Sequence, residues 1–315
     1  MRISRRHFLG AAALAGAAPG SVWGSGNLPK RPLGRTGAKV SILGFGGGSG
    51  FVGLGEEQAI QCLNRALDLG IDYVDTAATY GNGVSELRIG GVAKTRRSEM
   101  FLATKIEDRD GSKALRAIEA GLRRLQTDRV DLLQIHALGD ASDLAAIQSP
   151  DGVLRVLYKL RDEKVARAIG IAGHSNPVAL AQAIERHDFD CAAMSLNAAL
   201  AGVAGGPEEK GPASRGPATF QSVALPVARR KGIGVIAMNV FAQGRLIGPA
   251  APEMLLRYAL SLPVSTVVAG MAVREHMEAD VDAARSFTPL SSTEMDNYAD
   301  RVSSAGQAEL GRDRL

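Results

Sequence analysis

At 315 residues the chain suits one large domain, and a single α/β barrel reaches this length. Its 45% apolar and 22% charged residues are those of an ordinary globular protein, and the formal net charge of +4, part of it in Arg2, Arg5 and Arg6, gives nucleic-acid binding no support. The two cysteines, Cys62 and Cys191, lie far apart in apolar settings; this excludes a disulfide framework and a cysteine-based metal site, so both read as buried apolar residues and no metal is expected.

Residues 1–26 read as a cleavable leader. They open with basic residues, continue through a short apolar run over 8–18, and reach small residues near Val22 and Gly24 where cleavage is expected. Within the leader, Ser4-Arg5-Arg6-His7-Phe8-Leu9 resembles the twin-arginine export motif, whose apolar segment is mild and rich in Ala and Gly, as it is here. The resemblance implies recognition by the twin-arginine export machinery and a periplasmic or otherwise exported protein that folds before it crosses. A basic arm and a retained anchor are the competing readings. Beyond the leader no run approaches the roughly 20 apolar residues that span a bilayer, so no stable membrane span is expected in a mature domain of residues 27–315.

Residues 31–40, RPLGRTGAKV, read as a short hairpin turning at Arg35, Thr36 and Gly37. An apolar run, a loop and an amphipathic stretch then recur. Buried-strand candidates at 40–45, 73–75, 100–104, 131–135, 168–172, 191–196, 234–238 and 266–269 alternate with helix candidates at 56–69, 85–93, 113–125, 152–163, 177–186, 221–231, 252–260 and 274–286. The clearest helix is 56–69, where Ala59, Ile60, Leu63, Ala66 and Leu67 share one face and Gly70 suits the C-terminal turn. Eight strands alternating with eight helices predict an α/β fold closed as a (β/α)8 TIM barrel, with a short N-terminal hairpin and a C-terminal helical tail from residue 291. Residues 204–219, AGGPEEKGPASRGPAT, carry no periodicity and read as a long loop leaving the catalytic rim after the sixth strand.

In such barrels reactive groups gather at the C-terminal ends of strands. Asp75 ends the second apolar run, Lys105 the third and His136 the fourth, so three ionisable groups would face one mouth, with Tyr80 in the loop after the second strand. Taken singly, each has a plainer explanation as a helix cap, a solvated strand end, a packing aromatic or a satisfied histidine. Their recurrence at successive strand ends is what singles them out.

The segments YVDTAATYGNG, FLATK and VDLLQIH resemble the motifs of the aldo-keto reductase family, in the same order, and the likeness runs from LGRTGAKVS through VSTVVAGM. It implies a proton-donating tyrosine at Tyr80, a lysine at Lys105 paired with the carboxylate of Asp75, and an orienting histidine at His136. It also implies a small-molecule carbonyl substrate and NADP as cofactor, with NAD possible. Hydride arriving at a carbonyl carbon leaves negative charge on the oxygen, which calls for a nearby acid and hydrogen-bond donors. The ammonium of Lys105 is expected to bring a tyrosine of ordinary pKa about 10 into a useful range.

Gly44-Phe45-Gly46-Gly47-Gly48 lacks the third glycine of a dinucleotide loop and the acidic residue that would follow it, which disfavours a Rossmann domain. The resemblance instead implies an extended cofactor across the barrel mouth, with phosphates by the loops of the seventh and eighth strands. The candidate contacts are Gly46, Gly47, Ser175, Asn176, Asn197, Met238, Phe241, Gly244, Arg245 and Gly270. The sequence departs from the family pattern at several of these places. Ala172-Gly173 replaces a Ser-Asn pair and is followed by His174-Ser175-Asn176, to which the carboxamide contact could be shifted; Met238 stands where an aromatic is usual, and Ala272 and Asp280 replace a basic residue and an asparagine, with Arg274 a nearby cation. Two other functions fit the same barrel: a nicotinamide-binding sensor or partner subunit without turnover, and a lyase using the lysine as a Schiff base.

Overall fold

A computed structural model describes residues 27–200 and 218–312, with side chains to residue 303. The leader and most of the 204–219 loop lie outside these residues. Eight parallel strands, β3 (Leu43–Gly46), β4 (Tyr73–Asp75), β5 (Phe101–Ile106), β6 (Val130–Leu138), β7 (Ala166–Gly173), β8 (Cys191–Ser195), β9 (Gly234–Met238) and β10 (Thr266–Gly270), close into a barrel in which β10 pairs with β3. Around them run α1 (Ser49–Gly53), α2 (Glu56–Asp68), α3 (Val84–Arg96), α4 (Gly111–Leu125), α5 (Ala141–Ile147), α6 (Val153–Asp162), α7 (Pro177–Arg186), α8 (Leu225–Arg230), α9 (Pro252–Ser261), α10 (Arg274–Arg285) and α11 (Ser292–Arg312). Among the described residues no helix is long and apolar enough to cross a membrane.

The expected first strand, 40–45, divides into two. Its first residues belong to an antiparallel hairpin of β1 (Lys30–Pro32) and β2 (Lys39–Ser41), with Arg31 opposite Val40, and only Leu43–Gly46 joins the barrel. Ser41 makes the break, because its Oγ donates to the carbonyl of Leu43 at 2.7 Å and its backbone N–H donates to Asp72 at 2.7 Å. The hairpin then turns Leu33 and Val40 into the barrel floor, where they join Tyr73, Phe101, Leu132, Ala168, Cys191 and Ile236 in one buried cluster.

That cluster identifies the inward face of each strand by the two-residue period. On β4, Tyr73 faces in and so does Asp75; on β5, Phe101 and Ala103 set the parity of Lys105; on β6, Leu132 sets that of Gln134 and His136. The outward face packs on the helices in a second, larger core. The predicted face of α2 is confirmed, with Ala59, Leu63, Ala66 and Leu67 buried, Ile60 packed at its edge and Gly70 closing the turn at φ +95°. Cys62, expected to be buried, is half-buried and its thiol donates to the carbonyl of Met271, whereas Cys191 lies in the barrel core. The C-terminal tail is a helix started by reciprocal Ser291 and Glu294 hydrogen bonds, and Tyr298, Ala299 and Val302 bury it against the barrel.

Neighbouring glycines in α3 give opposite expectations. A Cβ on Gly90 would lie 2.1 Å from the backbone oxygen of Arg124, so Gly90→Ala must separate α3 from α4, whereas exposed Gly91 meets nothing closer than 3.7 Å. In thermal unfolding Gly90→Ala is expected to destabilise by about 1–3 kcal/mol, and Gly91→Ala to stabilise by about 0.5–1 kcal/mol through helix propensity. Equal effects would show that this helix contact does not constrain the fold.

Candidate active site

Three strands deliver the ionisable cluster to one end of the barrel. Asp75 is the last residue of β4 and pairs with Ala103 of β5, two residues before Lys105, so the inward parity of both strands brings carboxylate and ammonium together. Lys105 Nζ donates to Asp75 Oδ1, to the carbonyl of Thr76 at 2.9 Å and to Tyr80 Oη at 3.3 Å. Tyr80 arrives by a turn after β4, its N–H bonded to the carbonyl of Ala77 at 3.1 Å, and its ring covers the ammonium with the centroid 4.9 Å from Nζ. Asp75 and Lys105 are buried and Tyr80 is half-buried, as a group reaching from the core to the mouth should be.

His136 is aimed by a distortion in its own strand. The β6 to β7 register shifts between Ile135 and Leu138, and Ala137 takes a left-handed φ of 51°. A bulge of this kind re-aims the neighbouring side chain at a local conformational cost. The imidazole then sits edge-on to Tyr80, with ring centroids 5.8 Å apart, and its Nδ1 lies 3.2 Å from Thr79 Oγ1.

The electrostatics differ in one respect from the expectation. Burial raises Tyr80 above the ordinary tyrosine range, and Lys105, which pulls the other way, does not overcome it. The tyrosine is therefore a neutral acid at neutral pH. Burial works against the Lys105 ammonium, but Asp75 and then Tyr80 outweigh it and hold its pKa above the usual lysine value. Burial raises the Asp75 carboxyl while Lys105 opposes the rise. Burial, then the charge of Lys105, depresses His136 to about 2, so it is a neutral imidazole wherever the protein is folded.

The remaining candidates separate into two groups. Gly46 and Gly47 are explained by packing: a Cβ on Gly46 would meet the Ala269 oxygen at 2.8 Å, one on Gly47 would meet Ser85 Oγ at 2.7 Å, and the Gly47 N–H is already bonded to Asp75 O. Asn176 caps α7 by accepting from Ala179 N at 2.9 Å, and Ser175 beside it is exposed. Asn197 is buried after β8 and donates to Asn239 O, while Met238 ends β9 on its inward face. Phe241 is half-buried and Arg245 exposed, and Gly244, at φ +88°, and Gly270 both have open space where a Cβ would be.

Sequence reasoning named His174 as a possible carboxamide contact but missed Ser195 and Asn239, with which it forms a polar trio on the same rim. Ser195 Oγ donates to the carbonyl of His174 at 3.3 Å, Asn239 Nδ2 donates to Ser195 Oγ at 2.8 Å, and the same amide lies 3.3 Å from His174 Nδ1. His174 stands 5.5 Å from His136 between ring centroids. The available signal was that Ser195 ends an inward-facing strand run; His174 and Asn239 lie one residue past β7 and β9, where no periodicity reaches them.

Residues 43–251 match the model of the Aldo/keto reductase family. L-galactose dehydrogenase of Arabidopsis thaliana is 29% identical over 307 residues, an alignment spanning 84% of this chain and 90% of that protein. Among solved structures, the holo form of an aldo-keto reductase from Bacillus halodurans superimposes with a TM-score of 0.71 at 26% identity, over 88% of this chain and 97% of that one. An aldo-keto reductase from Klebsiella pneumoniae in complex with NADPH shares the fold, with a TM-score of 0.69 at 23% identity over 87% of this chain and 95% of that one. The closed eight-stranded barrel, the residues gathered at its mouth and the family-model match agree: this chain belongs to the aldo/keto reductase family.

Proposed function

We propose that the protein is an NADP-dependent oxidoreductase that reduces an aldehyde or ketone to an alcohol, with Tyr80 as the proton donor. The observation that carries this reading is the Tyr80 hydroxyl 3.3 Å from an ammonium that is itself fixed by Asp75 and the Thr76 carbonyl. A bound nicotinamide cofactor supplies the hydride. Tyr80 Oη then passes its proton to the carbonyl oxygen, and Lys105 stabilises the phenolate left behind. Neutral His136 hydrogen-bonds the same oxygen and fixes the direction from which the substrate approaches. Because Lys105 is held as a buried ammonium with three hydrogen-bond partners, it is poorly suited to act as a Schiff-base nucleophile.

The β9 and β10 side of the mouth fits a dinucleotide. Gly244 and Gly270 leave open space above the strand ends, and α10 begins at Val273 with no side chain capping it, an arrangement suited to phosphate. Met238 would lie by the nicotinamide, with Asn197 deeper beneath the rim. Farther out, Arg274 and Arg65 share Glu278, at 3.0 and 2.7 Å, and offer cations for a 2′-phosphate. Buried Asp280, raised to about 7 by burial and by Glu253, can present a protonated carboxyl where the family pattern has an asparagine.

Tyr80→Phe is expected to lower turnover of a carbonyl substrate by about two to four decades, with nucleotide affinity measured by fluorescence unchanged. Near wild-type rates in this variant would remove Tyr80 from the proton-donating role. The pH profile follows from the raised tyrosine. Reduction needs the protonated form, so kcat/KM should stay level through neutral pH and fall only above the ordinary tyrosine range, while alcohol oxidation, which needs the phenolate, should rise there. With His136 at about 2 and His174 at about 4, neither histidine adds a limb between pH 5 and 9; a limb near pH 6.5 in stopped-flow reduction would contradict this electrostatic account.

We also propose that the protein is exported through the twin-arginine route, on the strength of SRRHFLG ahead of a mildly apolar, Ala- and Gly-rich run. Changing Arg5 and Arg6 together to Lys should retain full-length protein inside the cell. Fractionation with intact-mass measurement decides it, and a wild-type chain found only in the cytoplasm with its leader attached would refute export.

A further inference from the structure

His174 is a histidine at the reacting end of the barrel that the proton-transfer scheme does not use. Moving round the mouth from β6 to β9, it comes between His136 and Asn239. Its tautomer can be worked out from the hydrogen bonds around it. Ser195 Oγ commits its hydrogen to the His174 carbonyl, so toward Asn239 that oxygen can only accept. The Asn239 group facing Ser195 Oγ at 2.8 Å is therefore the NH2, which rules out the flipped amide. The same NH2 faces His174 Nδ1 at 3.3 Å, so Nδ1 accepts and the ring hydrogen resides on Nε2. Asn239 holds this position with a left-handed φ of 56°, a conformation that asparagine tolerates better than most residues. Burial, then the charge of Lys105, keeps the ring neutral, with its pKa lowered to about 4.

The mouth thus presents two neutral imidazoles, one beside Tyr80 and one further along the rim. The ring centroids are 5.5 Å apart, a spacing over which two N–H···O bonds of about 2.9 Å can serve two oxygens on neighbouring carbons. We propose that His174 Nε2–H binds a second substrate oxygen, on the carbon next to the reacting carbonyl, so that the preferred substrates are α-hydroxy or α-oxo carbonyl compounds rather than simple aldehydes and ketones. This rests on the carbonyl-reducing function proposed above. His136 takes the reacting oxygen and His174 the adjacent one. A donor built into the wall discriminates against a substrate lacking that oxygen, because the N–H then loses its water without gaining a partner.

The test uses matched substrates with the full mature protein and NADPH: glycolaldehyde against propanal, and methylglyoxal against butanone. Wild-type kcat/KM should favour the oxygenated member of each pair. His174→Phe should lower kcat/KM for that member by about tenfold, mainly through KM, and change the other less than about threefold. His174→Gln, which keeps an amide donor, should recover part of the preference. The tautomer has its own readout: long-range 1H–15N spectra, assigned by comparison with His174→Gln, should show the Nε2–H form of His174 in the protein without substrate, unchanged from pH 5.5 to 8.5. Equal losses on both members of a pair, or the Nδ1–H form, would overturn the proposal. Wild-type turnover of propanal and butanone with no preference leaves carbonyl reduction standing and removes only the His174 assignment; no turnover of any of the four overturns both.

Discussion

The buried pair of Lys105 and Asp75 is the constraint on which the site depends. An ammonium and a carboxylate in the barrel interior have each given up water, and attraction repays that only if both stay in contact and satisfied. Removing one partner from such a pair typically costs about 3–5 kcal/mol, since the other is left charged and buried. Two adjacent parallel strands secure the contact here: the β4 to β5 register sets Asp75 against Ala103, and the same parity places Lys105 one step further toward the mouth. The Thr76 carbonyl takes a second ammonium proton, and the third points at Tyr80. The pair is thus both a structural requirement of the barrel end and the source of the charge that acts on the tyrosine.

That single charge sets the protonation of the groups around it. Lys105 lies close enough to both mouth histidines to lower them, burial acts in the same direction, and the site keeps two neutral imidazoles beside one ammonium. On Tyr80 the two effects oppose each other and burial prevails. In the proposed reaction Tyr80 gives up a proton, and a tyrosine held neutral carries the proton that this step needs.

Much of this was legible from residue pattern. Short apolar runs alternating with amphipathic stretches located the strands, and asking which polar residue ends each run found Asp75, Lys105 and His136, because the end of a barrel strand defines the mouth. The rule failed where side-chain hydrogen bonds override hydrophobic pattern. At 40–45 a continuous apolar run hides the break at Ser41, whose bonds to Leu43 and Asp72 turn the chain from hairpin to barrel. At Gly46 and Gly47 packing against Ala269 and Ser85 requires glycine whatever else the two residues do. Asn239 escaped, and the orientation of His174 was not legible, because residues just past a strand have no fixed parity.

The same contrast explains how the two halves of the mouth differ. From β4 to β6, Asp75, Lys105 and His136 stand on the strands themselves and inherit barrel geometry, while Tyr80 is carried by the turn after β4. From β7 to β9 the inward positions include the small Gly170, Ala172 and Ala193 beside the larger Ile236 and Met238, and the polar groups are Ser195 and the two residues just past the strands. Side chains beyond a strand end need bonds of their own to be held, and the His174, Ser195 and Asn239 hydrogen bonds supply them. The trio forms a polar edge of the rim on this side. Lys105 and Asp75, which the proposed proton transfer draws on, therefore lie where strand register fixes distances, and His174, Ser195 and Asn239 lie where side-chain bonds must do so.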